Sequence, residues 1–576
     1  MAGSGSSPVS KRGASGRRRR QPRCSRGRRR KEEAGRRSGG RRLRSRELTP
    51  APRAPPCGPP VPSAGPWGRT VEGGTSVTGT ASGLPPAELW GWAHAVLLAA
   101  FVLAQLLLVI YALHRYAVLW RWWRFVARRN RAPAATRAEA RAIWPKVTVQ
   151  LPIYNERLVV ERLIDSVARL DYPGDRLEIQ VLDDSIDDTR QRAAAAVARH
   201  RARGIDIRCF HRRRRAGYKA GALAVGLAQA RGDLIAVFDA DFVPPPDFLR
   251  RLVPAFDDPR VGMAQARWTH LNRGASWLTA AQAVMLDGHF LLEHSARAAS
   301  GLFFNFNGTA GVWRRACIED AGGWTNDTLT EDLDLSYRAQ LRGWRFHYDP
   351  DVLSPGELPG DIEALKSQQR RWAKGSVQTA RKLLPDLLAA PIPRRVKVEA
   401  MVHLTGNVVY PLLVGVALFV LPIQLGTAVD RSWLAGTLEG GMVAFGLVPV
   451  VLFLAVARRV SGGSGFHVVR DVGAALMLGV GLSLNNARAV LEGLRGEVGN
   501  WERTPKTGDG SPHTTRARRY RAAGRYAGWA ELALALYAAG VAALASAEGH
   551  SGVGLCTSAC NRCSRRGEPG PEVRGG

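Results

Sequence analysis

The sequence predicts an α/β domain on a doubly wound, mostly parallel sheet, inserted between transmembrane α-helices. Three observations lead there. Short apolar runs alternate with helical stripes between about residues 145 and 365. Longer apolar runs flank that segment, at Ala95–Leu113 and again after residue 400. Carboxylates cluster where the strand-like runs end, the place where such sheets bind ligands.

In chain order, residues 1–86 read as a disordered basic tail. Residues 1–80 carry 20 Lys and Arg against 4 Asp and Glu, among Gly, Ser and Pro, with almost no apolar periodicity. Such a stretch cannot bury enough surface to fold. Its Arg17–Arg20 run suits nucleic acid or anionic lipid, or is a solvated tail. Residues 87–115 form the first expected transmembrane helix. Ala95–Leu113, broken only by Gln105, is long enough to cross a bilayer. Residues 116–144 read as a basic interfacial linker, with Arg115, Arg121, Arg124, Arg128 and Arg129 among Trp120, Trp122 and Trp123. These basic flanks place residues 116–400 in the cytoplasm.

Within the insert, Val147–Leu151, Glu178–Leu182 and Asp233–Phe238 read as strands. Arg157–Leu170 reads as a helix, with its stripe at Leu158, Val159, Leu163, Ile164, Val167 and Leu170. Asp183 and Asp184 follow one strand; Asp239 and Asp241 end another. Two carboxylates flanking the small Ala240 can share one divalent cation, and oxygen-only ligands suit Mg²⁺ or Mn²⁺. Taken alone, Asp-Ala-Asp is more simply a solvated turn, and Asp183-Asp184 could be a capped one. His289 and His294 stand near acids but in no ligand motif, which favours structural histidines.

Residues 403–548 form a second membrane region. Val408–Leu425, Gly441–Ala457 and Gly528–Ala547 are the expected spans. Val472–Leu484 is short and basic on both flanks, which favours a re-entrant or interfacial segment over a tilted span. Residues 549–576 form a C-terminal tail. Of the seven Cys, Cys209 and Cys317 fall in the insert, which suits a reducing compartment without a disulfide framework. Cys556, Cys560 and Cys563 with His550 read as a zinc site or, more simply, as part of a loose tail.

In combination the motifs are specific. In order they are Leu-Pro-Ile-Tyr-Asn-Glu (151–156), Asp-Asp-Ser (183–185), Gly-Tyr-Lys-Ala-Gly-Ala-Leu (217–223), Asp-Ala-Asp (239–241), Asn-Gly-Thr-Ala-Gly (307–311), Thr-Glu-Asp (330–332) and Gln-Gln-Arg-Arg-Trp (368–372). From about 145 to 510 the chain resembles the processive, membrane-bound branch of the family-2 glycosyltransferases. That branch includes cellulose, chitin and hyaluronan synthases. The likeness extends to plant cellulose-synthase-like mannan and glucomannan synthases and their bacterial relatives.

The resemblance implies a GT-A fold for residues 145–365, an inverting reaction, and interface helices at 366–402 carrying the Q-x-x-R-W motif. It implies that Asp183 or Asp184 holds the nucleoside side of the donor, with Lys219 near the nucleotide or its diphosphate. Asp239 and Asp241 would place the metal on the diphosphate, and Asp332 would be the general base. Gln368, Arg371 and Trp372 would line the acceptor end. Trp501–Lys506 is similar to the gating-loop motif of cellulose synthases, which makes Arg503, Thr504 and Lys506 a loop closing over the donor, within 488–526.

The expected partners are a UDP- or GDP-hexose, a glycan or glycolipid acceptor and the lipid bilayer, with no nucleic acid. The expected setting is a multi-pass protein of a bacterial plasma membrane, its catalytic domain cytoplasmic. The leading reading is synthesis of a β-linked polysaccharide of glucan, mannan or glucomannan type. Transfer of one hexose to a lipid such as diacylglycerol is the alternative. A non-enzymatic membrane protein binding nucleic acid or anionic lipid through its Arg-rich tail is the alternative of another class.

Overall fold

The computed structural model describes residues 86–127, 143–425, 441–497, 499, 504, 506, 508 and 529–547. The N-terminal tail through residue 85, the C-terminal Cys cluster and Arg503 lie outside the described residues.

Seven strands form one sheet: β1 (Val147–Ile153), β2 (Leu177–Asp183), β3 (Ile207–His211), β4 (Leu234–Val237), β5 (Val261–His270), β6 (Gly311–Arg314) and β7 (Arg345–Gly356). Their order is β3-β2-β1-β4-β6-β5-β7. β1 lies parallel to β2 and β4, β2 to β3, and β5 to β7; β6 alone is antiparallel to both neighbours. This is the mostly parallel sheet of the expected GT-A fold. β4, Leu-Ile-Ala-Val, reads as a continuous apolar run, whereas β1 and β2 interleave buried polar residues that pair across the strands, Thr148 with Glu178 at 2.8 Å and Gln150 with Gln180 at 3.1 Å. Alternation within β4 shows that both faces are covered. Leu234 and Ala236 pack into one cluster with Leu163, Ile164 and Val197. Ile235 and Val237 pack into another with Leu223, Ile318 and Leu335.

The helices are α1 (Pro86–Trp122), α2 (Val160–Val167), α3 (Thr189–Arg201), α4 (Tyr218–Gln229), α5 (Phe248–Leu252), α6 (Trp277–Asp287), α7 (Ser295–Ala299), α8 (Arg315–Asp320), α9 (Glu331–Leu341), α10 (Ile362–Ala389), α11 (Arg394–Thr405) and α12 (Val409–Leu425). α2 is shorter than the stripe predicts. The chain is still turning through Asn155, at φ 56°, before the helix begins. α1 is longer than expected and takes in the first part of the anticipated linker. Val118, 2% exposed, packs there with Leu278, Leu292 and Phe453, so helix continues through the basic residues.

Among the described residues two helical stretches are long and apolar enough to cross a membrane, Trp90–Val126 and Arg394–Ile423. The second absorbs Val408–Leu425 and starts before residue 403, inside the expected interface helices. The expected span Gly441–Ala457 is instead a π-helical turn, Met442–Leu447, followed by a 13-residue helix, Val448–Val460, and does not reach that length. Around Val472–Leu484 the chain forms two helices, Gly465–Gly481 and Ser483–Arg495, bent by 46° as in a broken span or a re-entrant loop. The last apolar run is the helix Trp529–Ala547.

Candidate active site

The functional side chains are delivered by strand ends and by the helices that follow them. Successive residues at the end of β2 point to opposite sides. Asp184 therefore lines a cavity at the carboxyl ends of the strands, while Asp183 does not. Asp183 is fully buried. Its Oδ1 accepts from the Ser185 N–H (2.9 Å) and its Oδ2 from His211 Nδ1 (3.0 Å), so it shapes the turn instead of facing a ligand. Of the two acids, Asp184 alone lines the cavity. Arg212 grips Asp184 through both oxygens, at 2.7 and 2.5 Å. Nearby, the Arg215 guanidinium stacks 3.5 Å above the Tyr154 ring, and both line the cavity.

The Asp-Ala-Asp segment follows β4. Lys219, on the first turn of α4, donates to Asp239 Oδ1 (2.5 Å) and to the Gly308 carbonyl (2.9 Å). Lys506 donates to Asp241 Oδ2 at 2.5 Å. The pull of Asp239, Glu331 and Asp332 outweighs burial and raises the Lys219 pKa. Burial likewise opposes the charge of Lys506, and Asp241, Glu156 and Glu357 override it, raising its pKa. Both ammonium groups therefore stay charged. The Thr309 hydroxyl accepts from the Asp239 N–H (2.9 Å) and fixes the turn.

Asp332 is the second residue of α9 and lines the same cavity. Gly308 explains how it comes so close to Lys219. At φ 80° a Cβ on Gly308 would lie 2.9 Å from Asp332 Oδ2 and 3.3 Å from Lys219 Nζ. Only glycine lets the backbone pass between them. Burial, with the neighbouring Glu331, pushes the Asp332 carboxyl up to about 7. A carboxylate poised there can exchange a proton near neutrality.

α10 supplies the other wall. Gln368, Arg371 and Trp372 share one face by their three- and four-residue spacing and all line the cavity. Gly375, one turn further, lets the helix approach the Thr330 side chain; a Cβ there would sit 2.6 Å from Thr330 Cγ2. Arg371 Nη2 donates to Thr504 Oγ1 (2.8 Å), which ties the loop residues to the motif helix. Gly508 N–H donates to Glu357 Oε1 at 3.1 Å, and Arg162 donates to Glu357 Oε2 at 3.2 Å.

One cavity thus brings together Asp184, Lys219, Asp239, Asp241, Asp332, Gln368, Arg371, Trp372, Thr504 and Lys506. It also contains Tyr154, Arg215, Trp268 and Glu357, to which the sequence reading assigned no role. Arg215 precedes the Gly-Tyr-Lys motif and Glu357 follows β7, so proximity to recognised motifs was their only signal. His289 and His294 pack together and bond Asn307, which lines the cavity, at 3.0 and 2.9 Å. Burial holds both rings well below the usual histidine range, as structural histidines require.

Acids at strand ends, a cationic cradle and a motif helix thus line one cavity. Residues 145–375 match the family described as "Glycosyltransferase like family 2". The chain is 44% identical over 250 residues to glucomannan 4-beta-mannosyltransferase 2 of Arabidopsis thaliana, covering 42% of this chain and 47% of that protein. It is 36% identical over 380 residues to probable glucomannan 4-beta-mannosyltransferase 11 of Oryza sativa subsp. japonica, covering 64% of each. It therefore spans about half the length of the first relative and somewhat more of the second. Among solved structures it resembles the mannosyltransferase PcManGT from Pyrobaculum calidifontis in complex with GDP-Man and Mn²⁺. There the TM-score is 0.45 and the identity 22%, over 65% of this chain and 98% of that one.

Proposed function

We propose that the chain is a membrane-embedded, inverting hexosyltransferase. It moves a hexose from a nucleoside-diphosphate sugar, UDP- or GDP-linked, onto a growing β-linked polysaccharide of glucan, mannan or glucomannan type. The observation that carries this reading is the convergence of Asp239, Asp241, Asp332 and Trp372, from four separate motifs, on one cavity.

In this reading Asp184 takes the nucleoside end, with the Arg215–Tyr154 stack beside it as an aromatic and cationic platform. Lys219 and Lys506 meet the negative charge that develops on the departing diphosphate. Asp332 accepts the proton of the acceptor hydroxyl, a poor nucleophile without a base in reach. Gln368 and Arg371 orient the acceptor, and the flat Trp372 indole suits the apolar face of a pyranose. Thr504 and Lys506 belong to a loop that covers the donor and excludes water; Arg503 would act with them.

The residues fit one divalent cation, Mg²⁺ or Mn²⁺. Asp239 and Asp241 are hard oxygen donors lining the cavity, and both already hold cationic groups. Among the described residues no group of three or more His, Cys, Asp or Glu could hold a metal. The remaining ligands would be phosphate oxygens and water, the usual arrangement for these ions. When bound, the cation neutralises diphosphate charge.

The membrane helices anchor the enzyme, with residues 143–393 on the cytoplasmic side where sugar nucleotides are made. The test is to incubate membranes containing the full chain with a panel of labelled nucleotide hexoses and to fractionate the product. An insoluble polysaccharide is expected from at least one donor. A product wholly extractable into organic solvent would make the enzyme a glycolipid synthase instead. No transfer from any donor would refute the reading.

A further inference from the structure

His270 lines the same cavity, but the reading above gives it no task. Its place follows from strand pairing. It stands opposite Gly356 on β7, and Gly356 bridges Phe242, the residue after Asp241. Two strand spacings of about 4.8 Å thus separate its backbone from that of Phe242.

The His270 side chain is 4% exposed, and its Nε2 is buried with no hydrogen-bond partner among the described residues. Asp287 Oδ1 lies 3.9 Å away. That is too long for a hydrogen bond, but its charge favours the tautomer with the proton on Nε2. Asp287 cannot swing away, because Arg273 holds its other oxygen at 2.5 Å. Burial first, then Arg273 and Arg267, outweigh Asp287 and lower the imidazole pKa to about 4, so the ring is neutral. A neutral ring protonated on Nε2 keeps Nδ1 as a bare acceptor. Sugar hydroxyls are the donors a hexose site supplies, and Trp268, two residues earlier on β5, adds an indole to the same wall.

We propose that His270 is a specificity-determining residue that accepts a hydrogen bond from one hydroxyl of the hexose bound in this cavity. The hydroxyl belongs either to the donor hexose or to the terminal sugar of the acceptor. Asp287 is a positioning residue that sets the ring's tautomer. The inference rests on the hexosyltransferase reading.

The test is a deoxy-sugar scan on membranes with wild type, His270→Ala, His270→Gln and Asp287→Asn. One arm uses donors lacking single hydroxyls, and the other uses acceptor oligosaccharides lacking single terminal hydroxyls. Wild type should lose about 10- to 100-fold in kcat/KM on one deoxy compound. In His270→Ala that particular penalty should vanish, while penalties at other hydroxyls and nucleoside-diphosphate affinity persist. His270→Gln, which keeps an acceptor, should retain part of the penalty. Asp287→Asn should reduce it. The arm in which the penalty vanishes names the sugar. A penalty pattern identical in wild type and His270→Ala overturns the proposal while leaving the transferase reading intact. If His270→Ala fails to accumulate, His270→Gln decides: a pattern unchanged from wild type at every hydroxyl except a weakened one supports the proposal, and uniform loss overturns it. A wild type that transfers no hexose sinks both.

Discussion

At the scale of single residues, the site depends on a few groups placed by backbone geometry. Asp332 carries the sharpest prediction. Asp332→Asn keeps the shape but cannot accept a proton, so transfer should fall about 10²–10⁴-fold with donor affinity preserved. Only the ionised carboxylate is a base, and burial beside Glu331 raises its pKa to about 7. Wild-type kcat/KM should therefore rise with pH through about 7 and fall away below it, and the residual rate of Asp332→Asn should lack that limb. A pH profile of initial rates on membranes matched for protein amount checks both. Gly308→Ala makes a different case. It forces a side chain into the gap between Asp332 and Lys219 at a left-handed backbone position. Transfer should drop roughly tenfold or more, with yield close to wild type; normal transfer would show that the gap can open freely. Asp239, Asp241, Asp332 and Trp372 were legible because each stands in a short motif at a strand end or on a helix face. Glu357 was not, since what gives it meaning is Gly508 and Arg162, remote in sequence and outside any periodic pattern.

At the scale of elements, strands were easier to read than membrane helices. A buried strand such as β4 is an unbroken apolar run and ends where the acids of Asp-Ala-Asp begin. A membrane helix has no such boundary. α1 continues past its basic residues because Val118 finds tertiary partners, which no hydropathy count anticipates. The described loop residues dock by four hydrogen bonds: Thr504 with Arg371, Lys506 with Asp241, and Gly508 with Glu357 and with Arg162. Lys506→Ala removes one of them and a positive charge from the donor side. It should raise the donor KM several-fold and leave the acceptor KM near wild type, because lost ground-state contact appears in KM. Initial rates over a donor–acceptor grid separate the two, and an equal rise in both would contradict the assignment. Gly375→Ala acts on packing. Its Cβ would press on Thr330, so thermal inactivation should be faster, as for a core overpacked by about 1–3 kcal/mol.

At the scale of the whole molecule, the sheet, α10 and the apolar helices form one mechanical unit. Gly360 lies just before α10, and a side chain there meets no atom within 4 Å. In a chain with its seven cysteines replaced by Ser, Gly360→Cys should resist membrane-impermeant thiol reagents in intact cells and react after permeabilisation; prompt labelling of intact cells would reverse the orientation. α10 itself has two working faces. Gln368, Arg371, Trp372 and Gly375 turn toward the cavity and Thr330. Lys366, Arg370 and Lys374, each four residues apart, meet the helices beyond: Lys366 pairs with Glu531 at 3.0 Å, while Arg370 and Lys374 pair with Glu492. The second face leaves an imprint on inheritance. A charge reversal at Glu492 strands Arg370 and Lys374 and repels the more exposed Arg488, and one at Glu531 sets two like charges together, so either change alone is costly. Across descendants of this chain, positions 366 and 531 should drift as a pair and 370, 374 and 492 as a trio, independently of which sugar the cavity selects.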